Sequence, residues 1–317
     1  MARYIFKRLL IMIPTFLGIT ILVYVVASMA PGTPLDMLLA NGPVSQETLE
    51  LLKEKFGLNQ PVIVQYLQWL RNLLQGNLGM SYRTSEPVLQ MVLNRLGPTL
   101  LISIPSIIIS VLIAVPMGIF AAMKPNSLMD HVCSGLSFLT VSVPNFFAGL
   151  ILVYLFAVKL SVLPASGMFT NSNYRTTGNL LLHMILPVTV LVFQQLGDLL
   201  RQARGSMIEV MSDDFIRTAK AKGLNKRQTV LRHALRNSLT PVLTTLGMSL
   251  PFIVGGAIVT EQIFSWPGLG SLMVLSINAR DYPCIMGITV FIAVVVLVGN
   301  LLIDLLYSII DPRIRYQ

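Results

Sequence analysis

Six stretches of this chain are too long and too apolar to be ordinary elements of a soluble domain. They run from Leu9 to Ala30, Thr99 to Met123, Val132 to Val158, Leu180 to Leu200, Leu239 to Ile263 and Cys284 to Ile310. A helix rises ~1.5 Å per residue, so about 20 residues cross the ~30 Å hydrocarbon layer of a bilayer. Inside that layer no water can satisfy backbone N–H and C=O groups, so each run is expected to be a helix. Charged side chains make up 12% of the 317 residues, where soluble domains carry roughly 25%. Mean hydropathy is +0.72. The expectation is an all-α polytopic membrane protein with six transmembrane helices.

Charge then orients the spans. A net charge of +9 would suggest nucleic acid in a soluble chain. In a membrane protein it is the cytoplasmic excess of Lys and Arg, and no nucleic-acid role is read from it. The N-terminus, the links between spans two and three and between four and five, and the C-terminus carry nearly twice the Lys and Arg of the remaining loops. Both termini are therefore expected in the cytoplasm of a multi-pass plasma (inner) membrane protein, with residues 31–98 outside. Three regions follow: 1–30 with the first span, an extracytoplasmic helical insertion at 31–98, and a five-span core at 99–317 containing a basic loop at 201–238. Cys133 and Cys284 fall at opposite faces and cannot pair. His131, His183 and His233 lack metal-ligand spacing, and no metal is expected.

The first run follows Arg3, Lys7 and Arg8. It is too long for a signal core, and it reads as a retained span broken by Pro31-Gly32-Thr33-Pro34. In the insertion, Ser45 can cap a helix reaching Phe56, and Gly57 ends it. From Pro61 to Leu74, Val62, Tyr66, Trp69 and Leu73 share one helical face, and Tyr66 and Trp69 read as packing against a neighbouring helix or the membrane interface in preference to ligand contact. Pro105, Pro116, Pro144, Pro187 and Pro251 lie inside spans, either as kinks along a moving pathway or as the ordinary proline content of membrane helices.

Polar groups within the spans are the candidate site residues. Gln194, Gln195 and Asp198 border the pathway or bond across helices. Glu261 either lines an outer gate or caps the tight turn Trp266-Pro267-Gly268-Leu269-Gly270. Asp304 is expected to form a structural ion pair with Arg201 or Arg204.

The one strongly basic stretch, Ser212 to Pro241, lies between apolar runs. Ser212 is a good N-cap, Asp213 and Asp214 suit the positive end of a helix, and Gly223 suits a left-handed stop. A second helix is expected from Lys226 to Asn237, with Pro241 opening the next span. A short capped helix outside the membrane is a docking element for something soluble.

The string from Phe215 to Gly223 (Phe-Ile-Arg-Thr-Ala-Lys-Ala-Lys-Gly), followed by His233-Ala234-Leu235-Arg236-Asn237, resembles the cytoplasmic loop of importer-type ABC permeases, in their peptide-transport branch. The general Glu-Ala-Ala-x-x-x-Gly of that loop is matched only at Ala219 and Gly223, and the branch's acid after the first span is Thr33 here. The likeness also covers Gly57-Leu58, Gln65-Tyr66, Trp69-Leu70, Leu78-Gly79, Pro87-Val88, Arg95-Leu96, the segment from Glu261 to Gly270, and Asp311-Pro312-Arg313. It implies a peptide (oligopeptide or dipeptide) importer fold. It implies coupling to an ATPase through Asp213, Asp214, Phe215, Ile216, Arg217, Thr218, Ala219, Lys222, Gly223, His233 and Asn237. It also implies two P-loop ATPase subunits, a second homologous permease subunit and an extracytoplasmic peptide-binding protein.

No glycine in the chain is followed by lysine, so there is no P-loop to cradle phosphates. The chain is read as a non-catalytic permease subunit, with ATP and magnesium held by its partners. Nickel, glutathione or another small solute is the alternative cargo, and an ion-coupled carrier the alternative class.

Overall fold

The computed structural model describes residues 2–30, 50, 59–171, 175–249 and 257–310. Helices make up most of it; the described strand-like pairing is one bridge between Met80 and Pro87. In chain order the helices are α1 (Ala2–Met29), α2 (Val62–Leu74), α3 (Val88–Met123), α4 (Leu128–Ser142), α5 (Asn145–Leu152), α6 (Thr177–Ser212), α7 (Asp214–Ala221), α8 (Leu235–Met248), α9 (Ile258–Ile263), α10 (Leu269–Asn278) and α11 (Tyr282–Ile310). A π-helical stretch, Val153–Lys159, extends α5, and another, Thr229–Ala234, leads into α8 from the turn Lys226–Gln228.

Among the described residues, four helices are long and apolar enough to cross a membrane: α1, α3, α6 and α11. The third expected span is broken. α4 and the α5 segment meet at Pro144 with a bend of 100°. Pro144 sits outside both helices as the residue before α5, where its missing N–H costs nothing. The prolines at 105, 116 and 187 lie inside continuous helices instead. The fifth expected span shows α8 and α9 at its two ends. Residues 250–256, including Pro251, lie outside the described residues, as do the expected helix from Ser45 to Phe56, the break at Pro31 and the C-terminal Asp311-Pro312-Arg313.

Two helices run far past the expected span ends. α3 begins at Val88, and α6 continues to Ser212; each has 36 residues, about 54 Å of rise. They pack on each other more extensively than any other pair. The reason is a row on α3 spaced by four residues: Ser106, Ser110, Ala114, Gly118 and Ala122, all buried. Small side chains at that spacing let two backbones approach closely in lipid. A Cβ added at Gly118 would stand 2.8 Å from the Ala203 Cβ of α6. α4 joins the pair through the cluster of Ala114, Ala121, Cys133, Leu199, Leu200, Ala203 and Val242.

α1 packs on α11 and on α2. As the spacing on α2 implies, the Tyr66 and Trp69 rings pack on Tyr24 of α1, at 5.5 and 5.6 Å. Tyr66 Oη also lies 3.0 Å from Thr20 Oγ1.

Candidate functional site

The two ends of the α3–α6 pair carry the two arrangements of interest. At the C-terminal end lies α7. The long helix α6 does not stop before Ser212, so Ser212 is not the N-cap expected from sequence. Its Oγ donates back to the Glu209 carbonyl at 2.6 Å, and Asp213 takes the cap position without a side-chain cap bond. The other terminus is as expected. Gly223 sits at φ +83°, a conformation that costs glycine little. Gly223 N–H donates to Lys220 O at 3.0 Å, and Leu224 N–H donates to Ala219 O at 3.3 Å, the paired bonds of a Schellman stop.

Within α7 the implied coupling residues divide into two sets. Ile216 and Ala219 are buried. Ile216 enters a cluster with Ala122 of α3, Met207 of α6, and Val230 and Ala234 of the π-helical stretch. Asp213, Asp214, Phe215, Arg217, Thr218, Lys222 and Gly223 are exposed. Phe215 is 40% exposed, a large apolar ring on an otherwise polar face. His233 is half-buried, and its carbonyl accepts from the exposed Asn237 side chain at 3.1 Å. The helix after Lys226 does not end at Asn237. It runs to Met248 with Pro241 inside it, and the Ser238 carbonyl accepts from Ser206 Oγ of α6 at 2.9 Å.

At the opposite end, Glu261 is fully buried and lines no open space. Its carboxylate accepts from Thr99 Oγ1 of α3 at 2.7 Å, from Ser271 N–H at 2.8 Å, and from Gly270 N–H. Thr99 Oγ1 in turn accepts from Leu269 N–H at 2.8 Å, and Gly268 N–H donates to Trp266 O at 2.8 Å. The four N–H groups that begin α10 and have no partner within it are thus all satisfied. Of the two readings of Glu261, the structure forms the cap, built here by side chains from two other helices. The glycines of the turn are required by this approach: a Cβ at Gly268 would meet Glu261 Oε1 at 2.1 Å. Trp266, also fully buried, donates its Nε1–H to the Pro98 carbonyl at 2.8 Å.

The loop before α3 is fastened nearby. Ser81 Oγ and Tyr82 N–H (3.0 Å) both donate to the buried Asp281 at the head of α11. Burial, then the Asp281 charge, push the Tyr82 phenol up to about 12, so it stays protonated near neutral pH.

The expected ion pair of Asp304 is corrected. Asp304 pairs with Arg8 at 3.0 Å, because α11 packs against α1. Arg204 instead holds Asp130 of α4 through two hydrogen bonds, one of them 3.0 Å. Asp130 also accepts from Asn126 N–H at 2.9 Å and donates its own N–H to Ser127 Oγ at 3.3 Å. The signal was present in sequence as Ser127-x-x-Asp130, a capping pair at the start of an apolar run. Arg201 pairs with Asp198 three residues earlier, both largely exposed, so Asp198 is engaged along its own helix face. Gln195 reaches Ser106 Oγ of α3 at 3.4 Å, while its Oε1 is buried with no partner among the described residues. Gln194 is half-buried beside it. Three or more His, Cys, Asp or Glu side chains able to hold a metal do not converge among the described residues.

A helical bundle of apolar spans, with a short polar helix at one end and a buried tertiary cap at the other, defines a polytopic membrane protein. The chain belongs to the family of binding-protein-dependent transport system inner membrane components: that family's profile matches residues 114–316, and the profile of its N-terminal region matches residues 1–103. It is 44% identical to the oligopeptide transport system permease protein AppB of Bacillus subtilis, over 100% of both chains. It is 36% identical to the dipeptide transport system permease protein DppB of Escherichia coli K12, again over 100% of both. A putative peptide permease protein of Brucella suis is 40% identical over 99% of each chain.

Proposed function

We propose that this chain is the membrane-spanning subunit of an ATP-driven importer that carries peptides across the plasma membrane. Its full-length likeness to permeases named for oligopeptide and dipeptide transport supports the cargo. Two separate P-loop ATPases supply the energy and hold ATP and magnesium, since this chain has no phosphate loop of its own. A second homologous permease completes the pathway, and an extracytoplasmic binding protein delivers the peptide. Both termini and α7 face the cytoplasm, in keeping with the bias of Lys and Arg. The chain itself performs no covalent chemistry.

The observation that carries this reading is α7. It is a helix of eight residues whose C-terminus is closed by its own backbone, anchored by Ile216 where α3, α6 and the approach to α8 meet, with the Phe215 ring and the polar side chains outward. ATPase closure pushes α7, and through Ile216 the push reaches the ends of α3 and α6, tilting the bundle between inward-open and outward-open forms.

The test is co-purification of tagged permease from membranes. Phe215→Arg should lose the ATPase while membrane insertion and yield stay at wild-type levels. Gly223→Pro should do the same, because proline cannot adopt φ +83°. Full ATPase recovery with Phe215→Arg, or peptide uptake into vesicles lacking any ATPase, would sink the proposal.

A further inference from the structure

The carboxylate of Glu261 deserves a role in transport and not only in folding, because of what it joins. α10 has 10 residues, about 15 Å, and cannot cross a bilayer. Its N-terminus has no side-chain cap from its own segment; Glu261 of α9 and Thr99 of α3 provide it. Thr99 Oγ1–H, Gly270 N–H and Ser271 N–H all donate into the carboxylate, so separating any one of these helices from the others strands buried donors. Gln262 of α9 adds a second tie, its Nε2–H donating to Ser271 Oγ at 3.4 Å.

α3 reaches both ends of the molecule. Ala122, near its last turn, packs with Ile216 of α7, and Thr99 lies about 35 Å away along the same continuous helix. A displacement of α7 therefore arrives at Thr99 without crossing a loop. Whether α9 and α10 follow depends on the Thr99–Glu261–α10 junction.

We propose that Glu261 is a positioning residue of the transport cycle: with Thr99 it latches α9 and α10 to α3, so that the three move as one body when α7 is driven. This rests on the peptide-importer reading above. The latch is a permanent joint, and the outer end opens and closes around it and not at it.

The experiment uses the complete importer in proteoliposomes, with a peptide substrate, and reads peptide transported per ATP hydrolysed. Thr99→Ser keeps the hydroxyl and should keep the wild-type ratio. Thr99→Val and Glu261→Gln, which keep volume but break the donor–acceptor order, should assemble with the ATPase yet lose about fivefold or more of the ratio, the low end of a site-to-site coupling. An unchanged ratio in assembled Glu261→Gln would overturn the proposal.

A second arm avoids the risk that these variants fold poorly. Gln262→Cys and Ser271→Cys, joined by a short bifunctional cross-linker, fix α9 to α10. A joint that never opens predicts transport within about twofold of the uncross-linked protein, since such a tie adds no new coupling between distant sites. Loss of transport on cross-linking would show that the junction must open, and would overturn it. Failure of the underlying reading looks different: the wild-type complex would neither hold an ATPase nor import peptide.

Discussion

α7 and α10 are helices of similar length whose ends are finished in opposite ways. α7 closes its C-terminus with its own backbone, through Gly223 and Leu224, and its hold on the rest of the molecule is two apolar side chains. α10 borrows its N-terminal acceptors from α3 and α9. A helix that carries its own cap can be displaced with no polar group left unpaired, and the cost is apolar contact alone. A helix capped by its neighbours cannot leave them without stranding buried donors at about 1–3 kcal/mol each. On the proposed function, the same chain builds one end to be pushed and the other to hold.

The strongest way to break this contrast is Glu261→Ala. It leaves Thr99 Oγ1–H and the N–H groups of Gly270 and Ser271 without their acceptor in a fully buried place. The expected loss is about 3 kcal/mol or more, read as a lower unfolding temperature of the detergent-solubilised protein and a lower yield. Gly268→Ala should move in the same direction, because its Cβ would overlap the Glu261 carboxylate at 2.1 Å. If both variants melt like wild type, the cap is not what holds that end of the bundle.

How far this contrast could be read from sequence depends on the range of the interaction. The stop at Gly223 was legible, because a Schellman cap is closed by residues within one turn. The apolar face of α2 was legible for the same reason: helical spacing is local. The cap on α10 was visible only as a pair of alternatives for Glu261, since Thr99 lies far away in the chain. For Asp304, charge and depth suggest Arg201 or Arg204 but do not say which helices touch; α11 lies on α1, and Arg8 is there. The start of α7 lies one residue later than the Ser212 cap motif suggests, because α6, packed on the small-residue row of α3 through its second half, stays helical through Ser212. That row, Ser106 to Ala122 in steps of four, stands in the sequence among the prolines of the same helix.

An intermediate effect is expected from Ile216→Ala. The side chain is fully buried, and truncation of a buried Ile typically costs about 2–5 kcal/mol. Here the loss should stay local, because Ile216 is the main tie of a helix that needs nothing else from its neighbours. The expected outcome is faster protease cleavage between 213 and 223 with little change in the unfolding temperature of the bundle. A cooperative drop in that temperature, as large as that of Glu261→Ala, would erase the difference between the two ends.

The smallest effects should come from the exposed pair Asp214–Arg217, and they sharpen the contrast. The two groups are 3.4 Å apart with side chains 94% and 79% exposed. Solvent and salt screen such a pair, and many like it contribute nothing measurable. Arg217→Ala should therefore leave both the unfolding temperature and the protease resistance of α7 unchanged. Asp214→Ala should be slightly worse, because Asp214 also stands in the first turn of α7, where the helix dipole favours a carboxylate. Adding 0.5 M salt to the cleavage assay should shrink that small difference, since the dipole term is screened within a few ångströms. The opposite ranking, with Arg217→Ala the more damaging, would mean that the guanidinium anchors α7 to something besides Asp214, and that the pushed end is held by more than apolar contact.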